Sequence, residues 1–224
     1  AVTSLDDNLV SSSSAAGFDL VYISESVSSG RIGTKLTNAS VPIISSESYL
    51  FDDLGLTGSA LQTDYGNANG VAIEVANPAH PILDGLSGSL ITIYADHDNI
   101  GWGIPANNNH VIATVPGDSS QAAIMAYARG ETLANGQSAP AARIALPIWN
   151  APTHQLLTIL ENAMDWAIAQ NGIPAVAESF EWSIEREWLS NRIRTGKEQT
   201  QTVLPEMSSE SIDRLFATKG RLAS

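Results

Sequence analysis

Short apolar runs closed by Gly, Pro, Ser or Asn recur along the first two-thirds of the chain, and one long amphipathic stretch follows them. Asp19-Leu-Val-Tyr-Ile-Ser24 lies between Gly17 and the Ser/Gly-rich stretch 26–30 and predicts a buried strand. Val41-Pro-Ile-Ile-Ser45 predicts a second strand, with Pro42 near its start, where a ladder donor is dispensable. Gly70-Val-Ala-Ile-Glu-Val75 and Leu90-Ile-Thr-Ile-Tyr94 alternate apolar and polar positions, the pattern of antiparallel or edge strands. Further strands are expected over 110–115, 122–127 and 142–146, the first ending at the turn Pro116-Gly117-Asp118. From His154 to Ala169, Leu156, Leu157, Leu160, Met164 and Ile168 recur at helical spacing, behind Thr153 as N-cap and ahead of the stop Asn171-Gly172.

Beyond Gly172 the pattern changes. Ser179 to Arg194 reads as a helix with Phe180, Ile184 and Trp188 on one face and Trp182, Leu189 and Ile193 on the other, as if covered from two sides. A polar stretch follows, holding one apolar run, Thr202-Val-Leu204, and a short helix is expected near 209–217. The chain therefore divides into an α/β domain over 1–170 and a helical and extended tail over 171–224.

Charge sharpens this division. Of 24 acids and 11 bases, the first 170 residues hold sixteen acids but only Arg31, Lys35, Arg129 and Arg143 as bases, while the tail is close to neutral. So acidic a body repels phosphate backbones, which disfavours nucleic acid, and fits a solvated surface that attracts cations or a basic partner. No apolar run approaches the roughly 20 residues of a membrane span. The absence of cysteine excludes disulfides and thiolate metal sites. A chain opening at Ala1, with no initiator Met or basic leader, reads as processed or excised from something longer. With the acidic body, that suggests a secreted or extracellular setting.

Phe18-Asp-Leu-Val-Tyr-Ile-Ser-Glu-Ser-Val-Ser-Ser-Gly30, Val41-Pro-Ile-Ile-Ser-Ser-Glu-Ser-Tyr-Leu-Phe-Asp-Asp-Leu-Gly55, Asn77-Pro-Ala-His-Pro-Ile-Leu-Asp-Gly-Leu86 and Ala163-Met-Asp-Trp-Ala-Ile168 occur in an order that resembles class I glutamine amidotransferase-like domains, in particular the trehalose-utilisation (ThuA-like) branch. The resemblance implies a flavodoxin-like three-layer sandwich with a mainly parallel sheet. It also implies a sharp strand-to-helix elbow carrying a cysteine nucleophile. Here that turn reads Ser45-Ser46-Glu47-Ser48-Tyr49, so Glu47 stands near the nucleophile position and thioester chemistry is absent. Relatives also begin with an additional strand. Its absence predicts a gap inside the sheet, to be filled by Thr202-Val-Leu204, another chain or a cleaved peptide.

Ligands of doubly wound sheets sit beyond the carboxyl ends of the strands. That places Ser24, Glu25, Ser26, Glu47, Ser48, Trp149 and Asn150 as ligand-binding or catalytic candidates, with His97 and His154 as further acid–base candidates. Glu25 and Glu47 end neighbouring strands and are placed to share a proton or cation, or else are solvated loop acids. Asp96 and Asp98 flank His97 with hard oxygens suited to a divalent cation, although adjacent residues seldom point at one ion. His154 suits an anion near a helix start, or a simple cap. Trp102, Tyr94 and Trp149 read as core or as an aromatic sugar platform. No phosphate loop and no G-x-G-x-x-G follows a strand, so no cofactor is expected.

Three functions remain open on this reading. The first is a catalytically inactive amidotransferase-like domain for binding or assembly. The second is a carbohydrate-active enzyme using Glu25 and Glu47. The third is a structural subunit whose tail, through Phe180, Trp182 and Trp188, meets a protein partner or a second copy.

Overall fold

Residues 3–172 are described by the computed structural model. In chain order the apolar runs become β1 (Val21–Ile23), a single helical turn α1 (Ser29–Ile32), β2 (Ile43–Ser45), β3 (Tyr65–Gly70), β4 (Ala72–Val75), β5 (Leu90–Thr92), β6 (Asp98–Gly103), β7 (Val111–Val115), β8 (Asp118–Tyr127), β9 (Arg143–Ala145) and the helix α2 (His154–Gln170). The expected tail, with Phe180, Trp182, Trp188 and Thr202-Val-Leu204, lies outside the described residues.

The nine strands form one mixed sheet in the order β1-β2-β9-β8-β7-β4-β5, with β6 joining β8 and β3 joining β6. Only the β1–β2 and β2–β9 ladders are parallel. Every other ladder is antiparallel, so the mainly parallel sheet expected from the resemblance is corrected to a mixed one. The reason is the chain's connections. Tight links such as Pro116-Gly117 return the chain beside itself, whereas a parallel neighbour needs a long crossover. Gly117, at φ 82°, takes the left-handed backbone this turn needs.

Side chains one residue apart on the inner strands face opposite ways, and each face has its own core. Ile44, Ile144 and Ile124 belong to one apolar cluster, and their neighbours Ile43, Ala145 and Met125 to the other. Helix α2 covers the first face through Leu156, Ile159, Leu160, Ala163 and Ala167, Leu157 is buried as well, and Met164 and Ile168 of the expected stripe are half-buried. Each such Leu or Ile contributes about 1.5–3 kcal/mol by leaving water. Thr153 caps the helix as predicted, its Oγ1 accepting from the Leu156 N–H at 3.3 Å. Asn162 donates from Nδ2 to the Asp84 carbonyl at 2.9 Å and so fixes the helix against the preceding turn.

The expected gap inside the sheet is also corrected. From β1 to β5 each strand pairs directly with the next, and residues 3–17 contribute no strand. Among the described residues β1 has a ladder on one side only, against β2.

Candidate functional site

The parallel corner of the sheet sets the geometry. Ile23 is in register with Ser45, so Glu25 and Glu47 each stand two residues beyond the last paired position of adjacent parallel strands. Their surroundings differ. Glu25 is half-buried and accepts a hydrogen bond from Ser24 Oγ at 2.8 Å, and Ser24 Oγ also meets Ser26 Oγ at 2.9 Å. Glu47 is only 6% exposed. Burial pushes its carboxyl above the ordinary range, the Tyr49 N–H opposes that shift, and the negative charge of Glu25 adds to it. The two carboxylates are therefore electrostatic neighbours.

The backbone at Glu47 bears on the chemistry. Its φ of −83° and ψ of 103° are ordinary extended values, without the strained left-handed geometry of a nucleophile elbow. Its Oε1 accepts from the Tyr49 N–H at 2.9 Å and caps the 3-10 turn Ser48–Leu50. Here Glu47 closes its own turn.

Two tyrosines join this cluster. Tyr22 OH lies 3.0 Å from Ser46 Oγ, and burial pushes its phenol well up, with the Glu25 charge in the same direction. Tyr94 is fully buried beneath the strand ends, with its hydroxyl within hydrogen-bond reach of the Pro147 carbonyl at 2.8 Å and the Asn99 carbonyl at 3.0 Å. Burial raises its phenol too, and the charges of Asp98 and Glu25 act on it in the same sense. Sequence reasoning missed Tyr22 and Ser46 as part of this group, because Tyr22 reads as a strand residue and Ser46 as a turn residue.

The wall beside Glu47 is a ribbon the sequence pattern did not reveal. β3 and β6 pair over six positions, from Tyr65 with Gly103 to Gly70 with Asp98. Ser48 Oγ donates to Asn67 Oδ1 on this ribbon at 2.9 Å. Gly101 faces Ser48 and Phe51 so closely that a Cβ there would stand 3.2 Å from Ser48 Cβ. The Gly and Asn residues that hid these strands are what let the ribbon approach.

The remaining candidates are placed elsewhere. His97 is exposed and its Nδ1 lies 3.1 Å from Asn69 Oδ1. His154 is exposed in the first turn of α2. Neither takes part in the interactions described for Glu25 and Glu47. Asp96 is exposed, Asp98 accepts from the Asn99 N–H at 2.8 Å, and among the described residues no group of three or more His, Asp or Glu is gathered to hold a metal ion. Trp102 and Tyr94 are core residues at 4% and 0% exposure, so an open sugar platform of Tyr94, Trp102 and Trp149 is corrected. Half-buried Trp149 packs on the core, and its indole Nε1 has no partner among the described residues. Next to it come half-buried Asn150 and then Ala151, whose φ of 48° is an unusual left-handed value for a residue with a Cβ. Among the described residues no helix is long and apolar enough to cross a membrane.

Comparison of the chain with family models, with curated proteins and with solved structures returned no match. The corner formed by Glu25, Glu47, Tyr22 and Ser46 is therefore the basis for a functional reading.

Proposed function

We propose that this chain is an amidotransferase-like α/β domain of flavodoxin-like layering that has no catalytic role and serves binding or assembly in an extracellular or envelope setting. The observation that carries this reading is the state of Glu47. Where a catalytic relative would present its nucleophile, this chain has a carboxylate on relaxed backbone, engaged with the Tyr49 N–H. The lack of cysteine supports the same reading. The acidic body favours a basic or cationic partner over nucleic acid, and residues 171–224 supply a connector if the domain is a subunit of a larger assembly.

A carbohydrate-active hydrolase is the second reading, and one observation favours it. Burial raises the Glu47 carboxyl and the Glu25 charge beside it adds to that, and a carboxyl raised next to a second carboxylate is a feature of acid–base sites. The two readings part on turnover. The full chain is to be incubated with glutamine and with a panel of aryl glycosides, reading ammonia and aryl alcohol release. The binding reading expects no release above buffer for the wild-type chain, Glu25→Gln or Glu47→Gln. Release that disappears in Glu47→Gln would establish the enzyme.

A further inference from the structure

The free edge of β1 offers an interaction surface that does not depend on what the strand-end cluster does. The Val21 N–H donates to the Pro42 carbonyl at 2.9 Å, and the Ile23 carbonyl accepts from the Ser46 N–H at 2.8 Å. Both residues thus turn their backbone groups toward β2, and by the alternation of a strand Tyr22 turns its N–H and C=O outward. An unprotected edge of this kind is a template for another strand. The chain leading into it carries exposed apolar side chains. Of the eight large apolar side chains that are exposed among the described residues, Leu5, Leu9, Phe18 and Tyr22 all belong to β1 or the segment leading into it.

Where the described chain stops points to the occupant. Helix α2 ends beside this corner, with Asn171 Nδ2 donating to the Ser40 carbonyl at 3.3 Å. Ser40 is two residues from Pro42, which bonds the first residue of β1. The chain thus leaves the described region close to the start of the open edge, with residues 173–224 still to come. Gly172 and Thr202 are separated by enough chain to extend roughly 3.3 Å per residue, far beyond what the return requires. That remainder is close to neutral, with seven bases against eight acids, so it can approach an edge bounded in sequence by Asp19 and Glu25 without the repulsion of a second acidic body. A second copy is a poorer occupant, since two acidic bodies would meet across a three-residue strand.

We propose that the open edge of β1 is closed in cis by this chain's own C-terminal segment, with Thr202-Val203-Leu204 added as a strand against Tyr22 and the rest of the segment covering Phe18 and its neighbours. Main-chain bonds supply the attachment, as in strand addition generally, and exposed apolar side chains such as Phe18 leave water.

The test uses the full chain. Amide exchange at Tyr22 is to be read by NMR in the wild type and in Val203→Pro, which removes a ladder donor at the centre of the added strand. The Ile44 amide, on the interior strand β2, reports that the fold is intact in both. The expected result is a Tyr22 amide that exchanges at least about 100-fold more slowly in the wild type than in Val203→Pro, with Ile44 unchanged. A Tyr22 amide that exchanges in the wild type as in an unfolded chain would overturn the proposal. So would protection that persists in Val203→Pro. Protection that falls on dilution would assign the edge to a second copy, which also overturns closure in cis.

Discussion

Arg143 donates from Nη1 to the carbonyl of Val41 at 3.0 Å, across 102 positions of sequence. The same guanidinium reaches the carbonyls of Thr37, Ala39, Ala141 and Ala142, so a side chain with no exposure is held by five backbone acceptors rather than by a carboxylate. Burial pulls its pKa down to about 10, which leaves it charged at neutral pH. It ties the loop before β2 to β9 and so fixes the parallel corner that carries Glu47.

Replacing Arg143 with Met would take this donor from the carbonyls of Thr37, Ala39, Val41 and Ala141, while that of Ala142 keeps the Ile43 N–H. The expected loss is about 3 kcal/mol or more, read as a lower urea midpoint at pH 7. Lysine should recover only part of this, because an ammonium cannot fork to acceptors on two segments. A midpoint unchanged in Arg143→Met would remove the argument.

His80 gives a pH dependence of known sign. Its Nδ1 accepts from the Ile82 N–H at 3.2 Å, and its ring stands 5.2 Å from that of Trp166. Burial lowers its pKa from the ordinary 6.5, more than the charges of Asp84 and Glu131 raise it. The unfolded chain then binds the proton more tightly, so this stabilisation is complete above pH 6.5 and is lost as pH falls through the folded value. Protonation also removes the lone pair that caps Ile82. His80→Asn keeps a capping acceptor and should flatten that part of the stability profile, whereas His80→Ala should cost about 1 kcal/mol at pH 7. Thermal melts between pH 5 and 7.5, roughly spanning the ordinary histidine range, decide it.

Gly103 tests the ribbon. A Cβ at this position would fall against Thr57 Cγ2 and Met125 Cε. Gly103→Ala should lower stability by about 1–3 kcal/mol through overpacking, and Thr57→Ser beside it should return part of the loss. Equal melting temperatures for Gly103→Ala and the wild type would mean the ribbon does not sit this close.

How much of this was legible depended on what each element is made of. β1, β2, β4, β5 and β7–β9 are apolar runs bounded by turn residues, and they were found within a few positions. β3 and β6 are Tyr65-Gly-Asn-Ala-Asn-Gly70 and Asp98-Asn-Ile-Gly-Trp-Gly103, sequences poor in strand formers whose pairing comes from close tertiary approach. Parallel or antiparallel pairing was illegible for most strands, because a strand's own sequence does not name its neighbour. Glu25 and Glu47 were legible because each stands just past a recognisable strand. Arg143 left a signal that went unused, a lone cation inside Ala142-Arg-Ile-Ala-Leu146 that a buried strand tolerates only with partners.

Glu47 as a buried cap coupled to Glu25 is the claim on which both functional readings rest. Because folding raises its carboxyl pKa, its contribution to stability is fully present below the ordinary 4.5 and is lost as pH rises through the folded value. Glu47→Gln, which keeps an oxygen for the Tyr49 N–H, should therefore be more stable than the wild type at pH 7 by about 1 kcal/mol. The most direct measurement is the NMR shift of the Tyr49 amide against pH in the wild type and in Glu25→Gln. The account predicts one transition in the wild type with its midpoint above 4.5, moving to lower pH when the Glu25 charge is removed. A midpoint at or below 4.5, or one that ignores Glu25→Gln, would contradict it.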